Sequence, residues 1–223
     1  RDDPRAARPR GVHGAGGGSS TWHQQEPRFE GCVALSLPGH PGGSPFASVG
    51  AYTEWAAHAL REIQGPRVIV GHSMGGAVAL QLALDHPELV DGLVLIATGA
   101  QLFVPDAAFE LARTDHPAEC ERLLRKGWPA ADDETIAEEV AAMVEAGQQT
   151  LLADYAACRS FDVIDRLGEV GVPALVIVGD DIGYGHMGAF GGPARTPTFD
   201  RLAKQGNPNG NAEGILVTVG GET

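Results

Sequence analysis

The strongest constraint on this chain is a serine between two glycines, at the point where a strand is predicted to turn into a helix. The pentapeptide is Gly71-His72-Ser73-Met74-Gly75. It follows the β-branched run 67–70 and precedes a helical apolar pattern over residues 74–85. A serine on such a turn projects its hydroxyl from the carboxyl end of a sheet, where open α/β folds bind ligands. The motif therefore predicts a nucleophilic serine at position 73.

The glycines of this pentapeptide have a physical reason. The turn is sharp and strained, so only small neighbours let it close against adjacent elements. The helix that follows also places the positive end of its dipole where negative charge would develop during a reaction. The competing interpretation is a chance match, because the chain contains 31 glycines. The strand before the motif and the helix after it favour the functional interpretation.

Apolar strands alternate with helical segments along most of the chain. The strand candidates share a short apolar run and lie at residues 31–37, 67–70, 93–96 and 174–178. Helical spacing is seen at residues 51–63 and 74–85, and the acidic stretch 105–160 is mostly helical. Strands that are apolar on both faces and alternate with helices predict an α/β fold with a mostly parallel sheet flanked by helices.

Composition excludes several classes of partner. The 16 basic and 29 acidic side chains give a net charge of −13, which disfavours binding to nucleic acid or to an anionic membrane. No stretch approaches the roughly 20 apolar residues of a membrane span. Three cysteines without a C-x-x-C spacing argue against a disulfide framework or a zinc site and predict a cytoplasmic location. The Arg-rich residues 1–11 are expected to form a disordered leader, not a secretory signal.

A second glycine-rich segment covers residues 13–18. Acyl transfer needs two backbone N–H donors for the oxyanion of its tetrahedral intermediate. The amide of Met74 is one candidate, and the loop His13-Gly14-Ala15-Gly16 is placed to supply the other. A flexible turn and a phosphate-binding loop are the alternatives. No Lys-Ser/Thr pair follows the loop, and the third glycine of a dinucleotide-binding fingerprint is missing.

Taken together, these motifs resemble the α/β-hydrolase family, in particular its bacterial esterase and lactonase members with a helical cap. The resemblance covers about residues 12–179 and is carried by His13-Gly14-Ala15-Gly16-Gly17, Leu37-Pro38-Gly39-His40, Gly71-His72-Ser73-Met74-Gly75-Gly76 and Val172-Pro173-Ala174-Leu175-Val176-Ile177-Val178-Gly179. It implies Ser73 as the nucleophile, Ala15 and Met74 as oxyanion-hole donors, and a cap at about 103–160. It further implies a small carboxylic ester or lactone as substrate, with no cofactor and no metal ion.

The acid and the base of the triad fit the resemblance less well. The family places its acid about three residues after the glycine that closes the strand ending here at Gly179, and that position holds Ile182. Asp181 is one residue short of it. The family base follows a final strand, but residues 215–219 are followed by no histidine. His186 is the only histidine after the cap, so His186 and Asp181 are the candidate base and acid.

Residues 180–206 resemble a different family, the amino-terminal part of arylsulfatases. The similarity rests on Asp180-Asp181-Ile182-Gly183-Tyr184-Gly185-His186-Met187-Gly188, Gly191-Gly192-Pro193 and Thr196-Pro197-Thr198-Phe199-Asp200-Arg201-Leu202. It implies that Asp180 and Asp181 could help hold a divalent cation, which prefers oxygen ligands. The Cys-x-Pro-x-Arg motif of that family is absent. The Gly/Pro-rich tail 180–223 is therefore treated as a separate segment, and the chain as a possible chimera of the two.

Two other functions compete with the hydrolase. The chain could be a non-catalytic α/β-hydrolase-like binding domain, or a metal-binding arylsulfatase-like fragment that uses Asp180 and Asp181. An α/β-hydrolase sheet that is incomplete at both ends would leave an edge unpaired, and such an edge could mediate an oligomer. Among the other histidines, His13 is predicted to structure its own loop and His72 to pack within the turn. His40 could line the pocket or lie on a surface turn.

Overall fold

The apolar runs of the sequence form the strands of one sheet in the computed structural model, which describes residues 8–23, 25–29, 31–127, 131–178 and 217–218. Six strands are present in this part of the chain: β1 (Arg8–Val12), β2 (Val33–Leu35), β3 (Arg67–His72), β4 (Gly92–Ile96), β5 (Ala174–Val178) and β6 (Val217–Thr218). Their spatial order is β2-β1-β3-β4-β5-β6, and every pair is parallel. The predicted fold class, a parallel sheet flanked by helices, is confirmed.

Among the described residues, six α-helices connect and cover these strands. They are α1 (Val49–Arg61), α2 (Met74–Asp85), α3 (Asp106–Thr114), α4 (His116–Gly127), α5 (Asp133–Ala146) and α6 (Gln148–Ser160). Helix α2 packs against α1, β3 and β4 and also touches α6. Ten of its residues are buried, which is why its sequence is apolar on every side. Helices α3–α6 lie between β4 and β5 in the chain, in the region predicted as the cap.

Strand β1 overturns part of the prediction for the amino-terminal residues. The expected leader covered residues 1–11, but β1 begins at Arg8 and pairs with both β2 and β3. Residues 1–7 lie outside the described residues. The side chain of Arg10 is 1% exposed, and its Nη1 donates to the carbonyl oxygen of Gly31 at 2.6 Å. A polar sequence thus enters the sheet, where Nη1 of the buried guanidinium of Arg10 has an acceptor on a segment distant in the sequence.

Strand β2 lies at one end of the described sheet and is three residues long. One of its residues, Val33, is exposed. Short edge strands limit edge-to-edge association. Oligomerisation through this edge stays a prediction.

Helices α4 and α6 are joined by hydrogen bonds to one buried carboxylate, that of Glu119. Glu119 on α4 is 0% exposed and accepts two hydrogen bonds from Arg122, at 2.6 and 2.7 Å. The hydroxyl of Tyr155 on α6 donates to the same carboxylate. Cys120 and Cys158 are buried free thiols on these two helices, and burial raises the pKa of Cys120 to about 11 and that of Cys158 to about 12. None of the described helices is both long and apolar enough to span a membrane.

Candidate active site

Ser73 has the backbone conformation that its motif predicts. It lies between β3 and α2 with φ 51° and ψ −117°, a region that residues with a side chain adopt only under strain. Its backbone N–H donates to the carbonyl oxygen of Ile96 at 2.9 Å, which ties the turn to the end of β4. The neighbouring elements therefore hold the serine in a conformation that it would not adopt by itself.

The glycines around Ser73 are required by close backbone approaches. A Cβ atom on Gly71 would lie 2.3 Å from the carbonyl oxygen of Gly75. A Cβ atom on Gly75 would lie 2.2 Å from the carbonyl oxygen of Val12, and one on Gly76 would lie 2.4 Å from Thr98. Each of these distances is shorter than a non-bonded contact allows. The glycine spacing is thus a steric requirement of the turn, which argues against the chance match.

The hydroxyl of Ser73 is not used as a helix cap. Ser48 precedes α1 in the same way, and its hydroxyl accepts a hydrogen bond from the backbone N–H of Ala51. Ser73 precedes α2, but its side chain makes no capping hydrogen bond. In the described part of the chain, no hydrogen bond engages its hydroxyl. The serine is thus placed at a helix N-terminus without the structural function that serine usually has there.

The predicted oxyanion loop lies against this serine. A Cβ atom on Gly14 would be 3.3 Å from the Cβ atom of Ser73 and 3.1 Å from Nδ1 of His72. Gly75, in the first turn of α2, contacts the backbone at Val12 and His13 on the other side. The structure therefore brings the loop that contains Ala15 and the helix start that contains Met74 to the same serine.

His13 organises this loop, as predicted. Its Nε2 accepts a hydrogen bond from the backbone N–H of Leu37 at 3.0 Å, so its proton is on Nδ1, which donates to the carbonyl oxygen of Gly14 at 2.9 Å. The ring is 0% exposed. Burial and the neighbouring charge of His40 lower the pKa of His13 to about 4. With both ring nitrogens engaged, His13 has a structural role and is not available as a base.

The low pKa of His13 predicts a pH-dependent stability. Between about pH 6.5 and pH 4 the unfolded chain binds a proton at this position that the folded protein does not. The free energy of unfolding should therefore fall as the pH is lowered through this window, by about 3 kcal/mol in total. Burial also lowers the pKa of His72 and of His116, so these residues add to the slope in the same direction.

Denaturant unfolding measured from pH 4 to pH 7 in the wild-type protein and in His13→Asn checks this prediction. The variant should be less stable at pH 7. The slope of its free energy of unfolding against pH should correspond to the uptake of about one proton fewer on unfolding. Equal slopes in the two proteins would show that His13 takes up its proton in the folded state as easily as in the unfolded chain.

A buried carboxylate beside this loop was missed by the sequence analysis. Asp154 on α6 is 0% exposed. Its Oδ2 accepts from the backbone N–H of Gly16 at 2.7 Å and from Nε2 of His40 at 2.8 Å, and its Oδ1 accepts from the hydroxyl of Tyr52 at 2.7 Å. One signal was available: Asp154 falls on the apolar face of a helix, three residues after Leu151 and four before Cys158.

The environment of His40 differs from both alternatives considered for it. Its side chain neither lies on a surface turn nor is free in a pocket, because it is 1% exposed and both ring nitrogens face oxygen acceptors. Nδ1 lies 3.2 Å from the carbonyl oxygen of Leu37, and Nε2 faces Asp154. The rings of His40 and His13 are 4.5 Å apart, so the two histidines form one buried group beneath the loop.

The remaining predicted site residues lie outside the described part of the chain. These are His186 and Asp181, proposed as base and acid, and Asp180, proposed with Asp181 as a cation ligand. Among the described residues, no group of three or more His, Cys, Asp or Glu side chains could hold a metal ion. The structure thus bears on the nucleophile and the oxyanion loop, while the base, the acid and the arylsulfatase-like stretch stay predictions.

Comparison with known proteins agrees with the fold. An uncharacterised protein of Mycobacterium tuberculosis is 38% identical over 122 residues, which are 51% of this chain and 36% of that protein. The Agrobacterium fabrum protein named "Putative carbamate hydrolase RutD" is 28% identical over 188 residues, 75% of this chain and 72% of that protein. The solved structure of a thermophilic esterase superposes with a TM-score of 0.66 at 29% identity, over 76% of this chain and 68% of the esterase.

A family model supports the same assignment over most of the chain. It is described as the alpha/beta hydrolase family and matches residues 12–210, which include the serine turn, the glycine-rich loop and the cap helices. The six-stranded parallel sheet has the architecture that this match requires. The chain belongs to the α/β hydrolase family.

Proposed function

We propose that this chain hydrolyses small carboxylic esters or lactones through an acyl-enzyme formed on Ser73. The observation that supports this most directly is the strained conformation of Ser73, with its hydroxyl released from capping and the oxyanion loop beside it. Maintaining strain at a residue costs stability and is typical of functional sites.

The proposed reaction has two steps. Ser73 Oγ attacks the acyl carbon while a base takes the hydroxyl proton, and the carbonyl oxygen becomes an oxyanion held by the amides of Ala15 and Met74. The carbon–oxygen bond to the alcohol then breaks, and the alcohol leaves with the proton. A water molecule attacks the acyl-enzyme in the same way and releases the carboxylic acid and Ser73. In a lactone, the alcohol and the acid remain one molecule.

Similar proteins support an ester-like substrate class. The structure that superposes on this chain is named as an esterase, and one relative is named as a putative carbamate hydrolase. Esters and carbamates are both hydrolysed by attack on a carbonyl carbon.

A fluorophosphonate probe tests the proposal, because it reacts with a serine only when that serine is activated. We expect one covalent adduct on the intact protein, located at Ser73 by peptide mass spectrometry. Short p-nitrophenyl esters and small lactones should be hydrolysed faster than longer or bulkier esters. No adduct at Ser73, with an active hydrolase labelled in parallel, would leave the non-catalytic binding domain as the better interpretation.

His186 is the proposed base, with Asp181 as its orienting acid. To accept the proton, a ring nitrogen of His186 must come within about 2.6–3.2 Å of Ser73 Oγ. We expect His186→Ala to lower the single-turnover acylation rate by about a hundredfold or more. His23→Ala, at an exposed position of the described chain, is the control and should leave the rate unchanged. Wild-type acylation by folded His186→Ala would show that the base is another group.

A further inference from the structure

The cap contacts the oxyanion loop, and one of these contacts is a hydrogen bond from the loop to the buried carboxylate of Asp154. We infer that Asp154 is a positioning residue that holds the loop 13–17 in its working geometry from helix α6. The inference rests on the proposed function, in which this loop supplies an oxyanion donor. Asp154 makes its three hydrogen bonds to three different segments of the body: Gly16 on the loop, His40 after β2, and Tyr52 on α1.

The hydrogen bonds within the loop and to Asp154 engage two of its N–H groups. The N–H of Gly16 donates to Asp154, and that of Gly17 donates to the carbonyl oxygen of Gly14 at 3.1 Å. Within the described part of the chain, no acceptor is bonded to the N–H of Ala15. By fixing the residue directly after Ala15, Asp154 restricts the direction in which the Ala15 N–H points. Preorganised donors of this kind account for much of the catalysis in acyl transfer.

Side chains of α6 and of its neighbour α5 also pack against this loop at Gly16. A Cβ atom on Gly16 would lie 2.6 Å from the terminal methyl of Met143 and 3.1 Å from a methyl of Leu151. Gly16 has φ +68°, a conformation that favours glycine. The loop is therefore bounded by cap side chains on one side and by the Ser73 turn on the other. A movement of α6 would be transmitted to the loop through the Asp154–Gly16 bond.

An alternative is that Asp154 serves only to stabilise the cap, and Glu119 provides the comparison that separates the two. Both are cap carboxylates with 0% exposure, and each accepts a hydrogen bond from a tyrosine hydroxyl. The carboxylate of Glu119 accepts its other hydrogen bonds from Arg122, which also lies in the cap, and it has no hydrogen bond to the loop. Removing either carboxylate leaves a buried tyrosine hydroxyl without its acceptor, so both variants should be destabilised. Only the Asp154 variant should disturb the loop.

The experiment compares Asp154→Ala with Glu119→Ala in the full chain, using amide hydrogen exchange and the rate of fluorophosphonate labelling of Ser73. Asp154→Asn is the second variant, for use if the alanine variant does not fold. It keeps the shape of the side chain and one acceptor oxygen. In Asp154→Ala we expect exchange at residues 13–17 to accelerate about tenfold or more. Labelling should slow by about ten- to a hundredfold. Asp154→Asn should recover part of both losses.

Glu119→Ala should accelerate exchange in α4 and leave both the loop and the labelling rate near wild type. The inference is overturned if residues 13–17 exchange at the wild-type rate in folded Asp154 variants, or if both alanine variants loosen the loop equally. Failure of the proposed function looks different, because wild-type Ser73 would then not be labelled at all. The exchange comparison would still decide whether Asp154 holds the loop.

Discussion

Ester hydrolysis by this chain is expected to fall by at least about a thousandfold when Ser73 is replaced by alanine. The reason is chemical, since alanine has no oxygen with which to form the acyl-enzyme. The fold should remain, because alanine at φ 51° bears a strain similar to that of serine and no capping hydrogen bond is lost. Initial rates with a short p-nitrophenyl ester, measured with circular dichroism of the same samples, check both parts of the prediction.

Ser48 offers a matched control, because it precedes a helix as Ser73 does. Ser48→Ala removes the hydrogen bond from the N–H of Ala51 to the serine hydroxyl. Its loss should lower the free energy of unfolding by about 1 kcal/mol and leave the hydrolysis rate unchanged. The two serines should thus show opposite patterns, one affecting the rate and the other affecting stability. Unchanged hydrolysis in Ser73→Ala would assign the activity to another group or to a contaminating enzyme.

Replacement of Gly75 by alanine should have the largest effect on stability. The added methyl carbon would lie 2.2 Å from the carbonyl oxygen of Val12 and 2.5 Å from that of His13. Both obstacles are backbone atoms, so relief requires that α2 and β1 move apart. We expect a loss of about 3 kcal/mol or more in the free energy of unfolding. Thermal unfolding monitored by circular dichroism measures this loss.

Gly50 is the control for this substitution, because it lies in helix α1 and, apart from its chain neighbours and the backbone of its own helix, no atom lies within 4 Å of an added Cβ. Gly50→Ala should be neutral or should raise the free energy of unfolding by up to about 1 kcal/mol, since alanine restricts the unfolded chain. If Gly75→Ala unfolds at the same temperature as the wild type, α2 does not pack against β1 as closely as described, and the steric argument for the glycine at that position fails.

Local patterns predicted the centre of this fold well. The run over residues 67–70 and the apolar pattern at 74–85 became β3 and α2, and the turn between them has the strain expected for the motif. These predictions succeeded because the steric demands of a tight turn and the burial of a central strand act on residues that are adjacent in the chain. Polar residues in a strand were harder to predict, as Arg8–Val12 shows.

Strand β1 shows why the composition of the amino-terminal residues led to the wrong prediction of a disordered leader there. Arg8-Pro9-Arg10 looks like a solvated leader, and intrinsic β-propensity gives no reason to place it in a sheet. Its position between β2 and β3 supplies backbone partners on both sides. The carbonyl oxygen of Gly31 then accepts from the buried guanidinium of Arg10. Tertiary context overrode propensity because the partners of this strand come from distant parts of the chain.

The sequence by itself determined that Ser73 lies on a strained turn between a strand and a helix, because the glycines that this turn requires lie next to Ser73 in the chain. The atoms that would clash with a side chain at Gly75 and Gly76 belong to Val12 and Thr98, so the tertiary structure supplies that part of the steric reason. Only the tertiary structure decided how the oxyanion loop is held. Asp154 and Gly16 are 138 residues apart, and no local pattern pairs them. A hydrogen bond of this kind exists only once α6 has packed against the loop, since a buried carboxylate is tolerated only where the fold delivers its donors.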